Sequence, residues 1–308
     1  MFRLALVALL AFTPTMSKAA EPKLLTWPDL TGRPQPKPDA TIDYGADHLQ
    51  KVDVWLPAGG RHGKKKHPTV LMVHGGCWTT SIADRSLMNW IADDLRRDGI
   101  AVWNIDYRGI DRTGGGYPGT FLDTAAAADA LRTNATHFHL DTKHIVAVGH
   151  SAGGHLALWL AARANLPRNS PLHTSKPIAI AHVISLGGLP DLEATAASPD
   201  NGCGTEVIAR LVGVPSPTRS DVYADTSVPR LLPLGVPQDL VNGREDSIIP
   251  IRLGTGYEEQ AKKAGDRATL HIVPNTGHVE LVAPETAAWS EAKRLIRAAL
   301  KIKSAAKR

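Results

Sequence analysis

The 308-residue chain has only two cysteines, Cys77 and Cys203, too few for a disulfide framework to organise the fold. A chain of this length needs no such framework, because it buries well over half of its unfolded surface. Charge of one sign is also missing. Lys and Arg number 35 against 30 Asp and Glu, and charged residues are 21% of the total. With 43% hydrophobic residues this excludes a disordered polyelectrolyte. Glycine and proline follow no fixed period, which excludes collagen-like and other repeat architectures. Long apolar runs are absent too. The run from Leu4 to Phe12 has nine residues, against about twenty needed to cross a bilayer, so no stable membrane insertion is expected.

That short run has another reading. Arg3 precedes it, and Ser17-Lys18-Ala19 follows with small residues at the two positions that determine cleavage. Residues 1–19 are therefore expected to be a signal peptide, and the protein secreted or periplasmic. In an oxidising compartment Cys77 and Cys203 could pair or could remain separate buried thiols. The excess positive charge is local, at Lys64 to Lys66 and at Lys301, Lys303, Lys307 and Arg308. Such runs are solvated ends, and no RNA-binding aromatic motif or zinc-finger spacing accompanies them, so no nucleic acid partner is expected.

Residues 20–40 read as an extended surface arm, since 31–38 (TGRPQPKP) is polar and proline-rich. Residues 41–44 and 51–56 alternate with period two and suggest an antiparallel pair. Short apolar runs then alternate with helix-like stretches. Strands are expected at 69–73, 101–105, 145–148, 179–186, 238–241 and 269–273. Helices are expected at 89–97, 124–131, 155–163, 256–264 and 287–300. The rhythm predicts an α/β fold over 41–300, a mostly parallel sheet with helices on both faces. Residues 187–235 form a weakly patterned insert of the kind that builds a lid or pocket wall. Residues 301–308 are a basic tail.

The most informative stretch is Gly149-His150-Ser151-Ala152-Gly153-Gly154, placed between a predicted strand and a predicted helix. Gly-x-Ser-x-Gly in that context is a nucleophile elbow, a strained turn that lifts the serine hydroxyl above the sheet. A serine needs a base, and His278 stands in a loop past the last predicted strand, where open parallel sheets place their sites. The acid that would orient this histidine is Asp246, in the loop after 238–241, with Asp239 and Glu245 as rivals. The order Ser151, Asp246, His278 is one of the known orders for a serine triad. His74-Gly75-Gly76-Cys77-Trp78 follows the 69–73 strand, and the amides of Gly76, Cys77 and Ala152 are the expected oxyanion donors. Trp78 and His150 flank these groups and are expected at the substrate. His137, His139, Asp141 and His144 crowd together, but no second ligand cluster supports them and no metal is expected.

His-Gly-Gly-x-Trp, then Asp106-Tyr107-Arg108, then Gly-His-Ser-Ala-Gly-Gly-His-Leu-Ala resembles the esterase/lipase branch of the α/β-hydrolase superfamily. Within it the motifs are similar to hormone-sensitive-lipase-like esterases, feruloyl and acetylxylan esterases, and kynurenine formamidases. The resemblance covers about residues 51–300 and departs at Cys77, where many lipase-like esterases have a third glycine. It implies an α/β-hydrolase fold and a serine carboxylic-ester hydrolase working through an acyl-enzyme without a cofactor. The implied substrate is a short-chain, aryl or acetyl ester, free or linked to a polysaccharide. An arylformamidase-type amidase and a catalytically silent binding protein are the alternatives.

Overall fold

The computed structural model describes residues 23–58 and 66–302. The expected signal peptide, Lys64 and Lys65, and residues 303–308 lie outside the described residues.

Two strands that read as unbroken apolar runs, β3 (Thr69–Val73) and β5 (Ile145–His150), pair in parallel, with every residue buried. Such strands require cover on both faces. Leu71, Val73, Ile145 and Ala147 point to one apolar layer, shared with α3 (Gly119–Asn134), α4 (Ala152–Ala162) and α7 (Ile251–Lys263). The alternate residues Val70, Met72, Val146 and Val148 point to the other, shared with α2 (Asn89–Arg97) and α8 (Ala287–Ala299).

Around this pair the described residues form an eight-stranded sheet. Its order is β1 (Ala40–Asp43), β2 (Lys51–Trp55), β4 (Ala101–Ile105), β3, β5, β6 (Ile180–Leu186), β7 (Gln238–Gly243) and β8 (Ala268–Val273). Contacts of β2 with β1 and β4 are antiparallel and all others are parallel. From β3 the chain moves outward to β4, then returns past β3 to lay down β5 on the other side. Strand order reverses between β3 and β5, and the crevice beyond their carboxyl ends is where sheets of this kind receive ligands.

Two segments hold more secondary structure than the sequence pattern assigns them. The expected extended arm contains a helix, α1 (Trp27–Thr31). The Thr26 amide and hydroxyl both donate to the Asp29 carboxylate, at 2.8 and 2.7 Å, and Leu30 is fully buried in the layer of α2 and α8. The insert is structured as well, with α5 (Leu192–Ala196), α6 (Thr205–Val212) and a 3-10 turn at Val228–Leu231. Side chains of α4 hold it in place: His155 Nε2 donates to the Thr226 carbonyl at 2.8 Å, and Trp159 Nε1 to that of Asp225 at 2.9 Å. Among the described residues no helix is long and apolar enough to cross a membrane.

Candidate active site

Ser151 stands between β5 and α4 with φ 54° and ψ −122°, a conformation that costs a non-glycine residue on the order of 1–3 kcal/mol. The turn has no room for larger neighbours. A Cβ on Gly149 would lie 2.0 Å from the Gly153 carbonyl oxygen, so the strand can pass this close to the helix only as glycine. The Ser151 amide donates to the Leu186 carbonyl at 2.8 Å, which ties the strained residue to β6.

His278 follows β8 in a loop, and its Nδ1 donates to Asp246 Oδ2 at 2.7 Å. Both side chains are almost wholly buried. The other carboxylate oxygen, Oδ1, accepts the amides of Ile248 and Ile249, each at 2.9 Å. The rival acids are engaged elsewhere. Glu245 accepts the Thr276 amide at 3.0 Å. Asp239, near the start of β7, bridges His182 at 2.6 Å and His271 at 2.7 Å. Burial alone would raise the Asp239 carboxyl, but those two partners outweigh it and hold it below its ordinary value.

The loop after β3 lies against the elbow. A Cβ on Gly75 would sit 3.0 Å from Ser151 Cβ and 2.8 Å from His150 Nδ1, so only glycine fits there. Beyond it Gly76, Cys77 and Trp78 all have positive φ, 101°, 50° and 52°. A buried network braces the loop from below. His74 Nδ1 is paired with the Gly75 carbonyl at 2.7 Å and Nε2 with Asp106 Oδ1 at 3.0 Å. Arg85 Nη1 donates to Asp106 Oδ2 at 2.8 Å, and Tyr107 stacks on the His74 ring at 4.3 Å. Burial would raise the Asp106 carboxyl, yet His74 and Arg85 together keep it below its ordinary value. In the sequence Asp106 and Tyr107 stand out only through a resemblance, because their bracing role depends on contacts across 32 or 33 positions.

Cys77 and Cys203 form a disulfide, with Cα atoms 5.4 Å apart and 126 positions between them. It fastens the loop after β3 to the insert. Next to it the Gly202 amide donates to the Ile248 carbonyl at 2.7 Å, linking the insert to the Asp246 loop as well.

Ser151, His278, His150, Gly76 and Cys77 line one cavity of about 300 Å³, closed by Trp27, Ile82, Leu87, Gly202 and Ile248. His150 is buried, its ring 4.4 Å from that of His278, and its Nε2 donates to the His278 carbonyl at 3.2 Å. Burial first, and the neighbouring imidazole of His278 second, push its pKa well below the ordinary histidine value. Trp78, expected at the substrate, is elsewhere. It is fully buried beneath the loop, edge-to-face with His155 at 5.5 Å, because the left-handed turn at Cys77 and Trp78 directs the indole into the core. The aromatic wall is Trp27, which the sequence reading missed. Thr26-Trp27-Pro28-Asp29 does carry a helix-start signal, Thr with Asp three positions on, but nothing local says where that helix docks.

His137, His139, Asp141 and His144 do not converge. His137 packs on Phe138, Asp141 accepts the Lys143 amide, and His144 pairs with the Ala299 carbonyl at 2.7 Å.

The sheet order, the elbow and the Asp246–His278 pair define an α/β-hydrolase fold, and solved structures share it. A truncated carbohydrate esterase from gut microbiota superposes with a TM-score of 0.68 at 19% identity, over 87% of this chain and 99% of that one. Esterase B from Lactobacillus rhamnosis gives 0.68 at 19%, over 87% and 89%. A bacterial heroin esterase gives 0.63 at 22%, over 82% and 80%. The chain belongs to the BD-FAE family, whose model matches residues 52–260. It is also 24% identical over 247 residues to the probable carboxylic ester hydrolase LipM of Mycobacterium tuberculosis. That match covers 78% of this chain and 56% of the relative.

Proposed function

We propose that this protein is a serine carboxylic-ester hydrolase. The observation that carries the reading is one cavity holding Ser151 on a strained elbow beside a histidine already oriented by a buried carboxylate. Ser151 Oγ attacks the ester carbonyl while His278 Nε2, the ring nitrogen left over from the bond to Asp246, takes its proton. The oxyanion that forms is received by backbone amides of Gly76, Cys77 and Ala152, each such donor being worth roughly 10²–10³ in rate. The tetrahedral intermediate collapses as the bond to the alcohol oxygen breaks and His278 returns the proton to it. Water, deprotonated by the same imidazole, then releases the acid and regenerates Ser151. Every step uses groups of this chain, so the scheme calls for no cofactor.

A cavity of about 300 Å³ is at the lower end of small-molecule sites, which favours short-chain, acetyl or small aryl esters, free or polysaccharide-linked. The names of LipM and of the structural neighbours, an ester hydrolase and esterases, support the same reaction class. Export to the periplasm or beyond is part of the proposal. It is supported by the leader-like residues 1–19 and by a disulfide, which belongs to oxidising compartments. No nucleic acid takes part.

The test is hydrolysis of p-nitrophenyl acetate, butyrate and octanoate by the wild-type protein and by Ser151→Ala. Release is expected with the two shorter esters and is expected to vanish in the variant. Wild-type inactivity on all three, with binding of ester analogues retained, would contradict the reading and favour the silent binding protein.

A further inference from the structure

His278 must hand its proton to the departing oxygen, so the alcohol half of the ester lies beside the His278 ring during acylation. One side chain that walls the cavity there is Trp27. Its indole stands nearly perpendicular to two imidazoles, that of His278 at 6.2 Å and that of His150 at 6.0 Å between centroids. It is half-buried and lines the same cavity as Ser151.

The segment that delivers Trp27 is held at both ends and along its length. Before the indole, the Leu25 amide donates to one oxygen of the buried Glu280 carboxylate. The other oxygen accepts the amide of Gly277, the residue preceding His278, at 2.9 Å. One carboxylate therefore joins the N-terminal segment to the histidine loop. After the indole, Leu30 is buried in the core, Arg33 pairs with Glu285, and Trp90 Nε1 donates to the Pro34 carbonyl at 3.3 Å. Trp27 is thus a wall fixed before substrate arrives, so a contact with it costs little ordering. It also lies outside residues 52–260, the part matched by the family.

We propose that Trp27 is a specificity-determining residue that flanks the alcohol half of the ester and selects flat, aromatic alcohols over small aliphatic ones. An aryl ring beside the indole gains an aromatic contact that an ethyl group does not make. The role presupposes the ester-hydrolase reading and adds the side of the substrate on which this chain discriminates.

The experiment compares kcat/KM, which reports acylation with the alcohol still attached, for phenyl acetate and ethyl acetate. Ratios within one protein cancel both the active fraction and any general loss of stability. The phenyl-to-ethyl ratio is expected to fall about 2–10-fold in Trp27→Ala and to stay within about twofold of wild type in Trp27→Phe, the span of one aromatic contact. The ratio of p-nitrophenyl acetate to p-nitrophenyl butyrate, which share one alcohol, should stay constant across all three proteins. An active Trp27→Ala with an unchanged phenyl-to-ethyl ratio overturns the role. So does a shift in the acetate-to-butyrate ratio alone, which would put Trp27 on the acyl side. A wild-type protein that hydrolyses none of these esters removes the ester-hydrolase reading and this role with it.

Discussion

Asp246 gives its two carboxylate oxygens to different partners, and this division makes its substitution informative. Oδ1 accepts two backbone amides, from Ile248 and Ile249, while Oδ2 accepts the proton on His278 Nδ1. In Asp246→Asn the amide oxygen must stay on the two backbone N–H groups, which turns the NH2 toward His278. An NH2 there can only donate, so Nδ1 becomes the acceptor and the proton moves to Nε2, the atom proposed to receive the Ser151 proton. The fold should survive, and kcat should fall about 10⁴-fold, the scale of a wrong tautomer in a serine triad. Steady-state ester hydrolysis alongside circular dichroism checks this; a loss below tenfold would mean that Asp246 does not set the tautomer. The positions of Ser151, Asp246 and His278 were legible because each sits in a loop whose place follows from the flanking strand. Trp78 was not. Whether an aromatic residue after His-Gly-Gly points into the cavity or beneath it depends on two positive φ angles, at Cys77 and Trp78, that no side-chain pattern announces.

At the scale of elements, the buried strands were the most readable. β3, β4 and α2 occupy the spans their patterns predict, because a doubly covered strand has to be mostly apolar and an amphipathic helix has to repeat its apolar face. Helix starts were less legible. α4 begins at Ala152, three positions before its expected start, since its first turn is written in glycine and alanine rather than in large apolar residues. The hardest element was α1. Five residues cannot sustain a helix from propensity alone, and this one is held by Leu30 in the core and by contacts with residues 280–285 and with Trp90. The disulfide is a similar case. Sequence gives no distance across 126 positions, so only the fold brings Cys77 to Cys203. In the chain-entropy view a bridge closing so long a loop adds about 4–5 kcal/mol of stability, and it falls where the loop after β3 meets the insert.

For the whole molecule the buried titratable groups set a pH response with a definite sign. Burial lowers His155 from 6.5 to about 4, and burial with the neighbouring His278 lowers His150 well below its ordinary value. A neutral buried histidine binds fewer protons than its unfolded counterpart, so its contribution is complete above pH 6.5 and declines as pH falls toward the folded value. For His155 that decline is on the order of 3 kcal/mol. Asp106 and Asp239 act lower down. Their folded values are depressed below 3.8, so their stabilisation is full above that value and is lost as pH falls through the folded one. The free energy of urea unfolding should therefore drop in two stages from pH 7, first between about 6.5 and 4, then below 3.8. In His155→Gln the first stage should shrink. Stability that stays flat from pH 7 to pH 4.5 would contradict the buried-histidine contribution.

The central claim, that Ser151 is a nucleophile activated through His278, is tested most directly by covalent labelling. The protein would be exposed to an alkyl fluorophosphonate, which phosphonylates an activated serine with loss of fluoride, and then analysed by intact mass and peptide mapping. The account predicts one adduct per chain, on Ser151, absent in Ser151→Ala and formed far more slowly in His278→Ala. An adduct on another residue, or none on a folded wild-type protein, would contradict it.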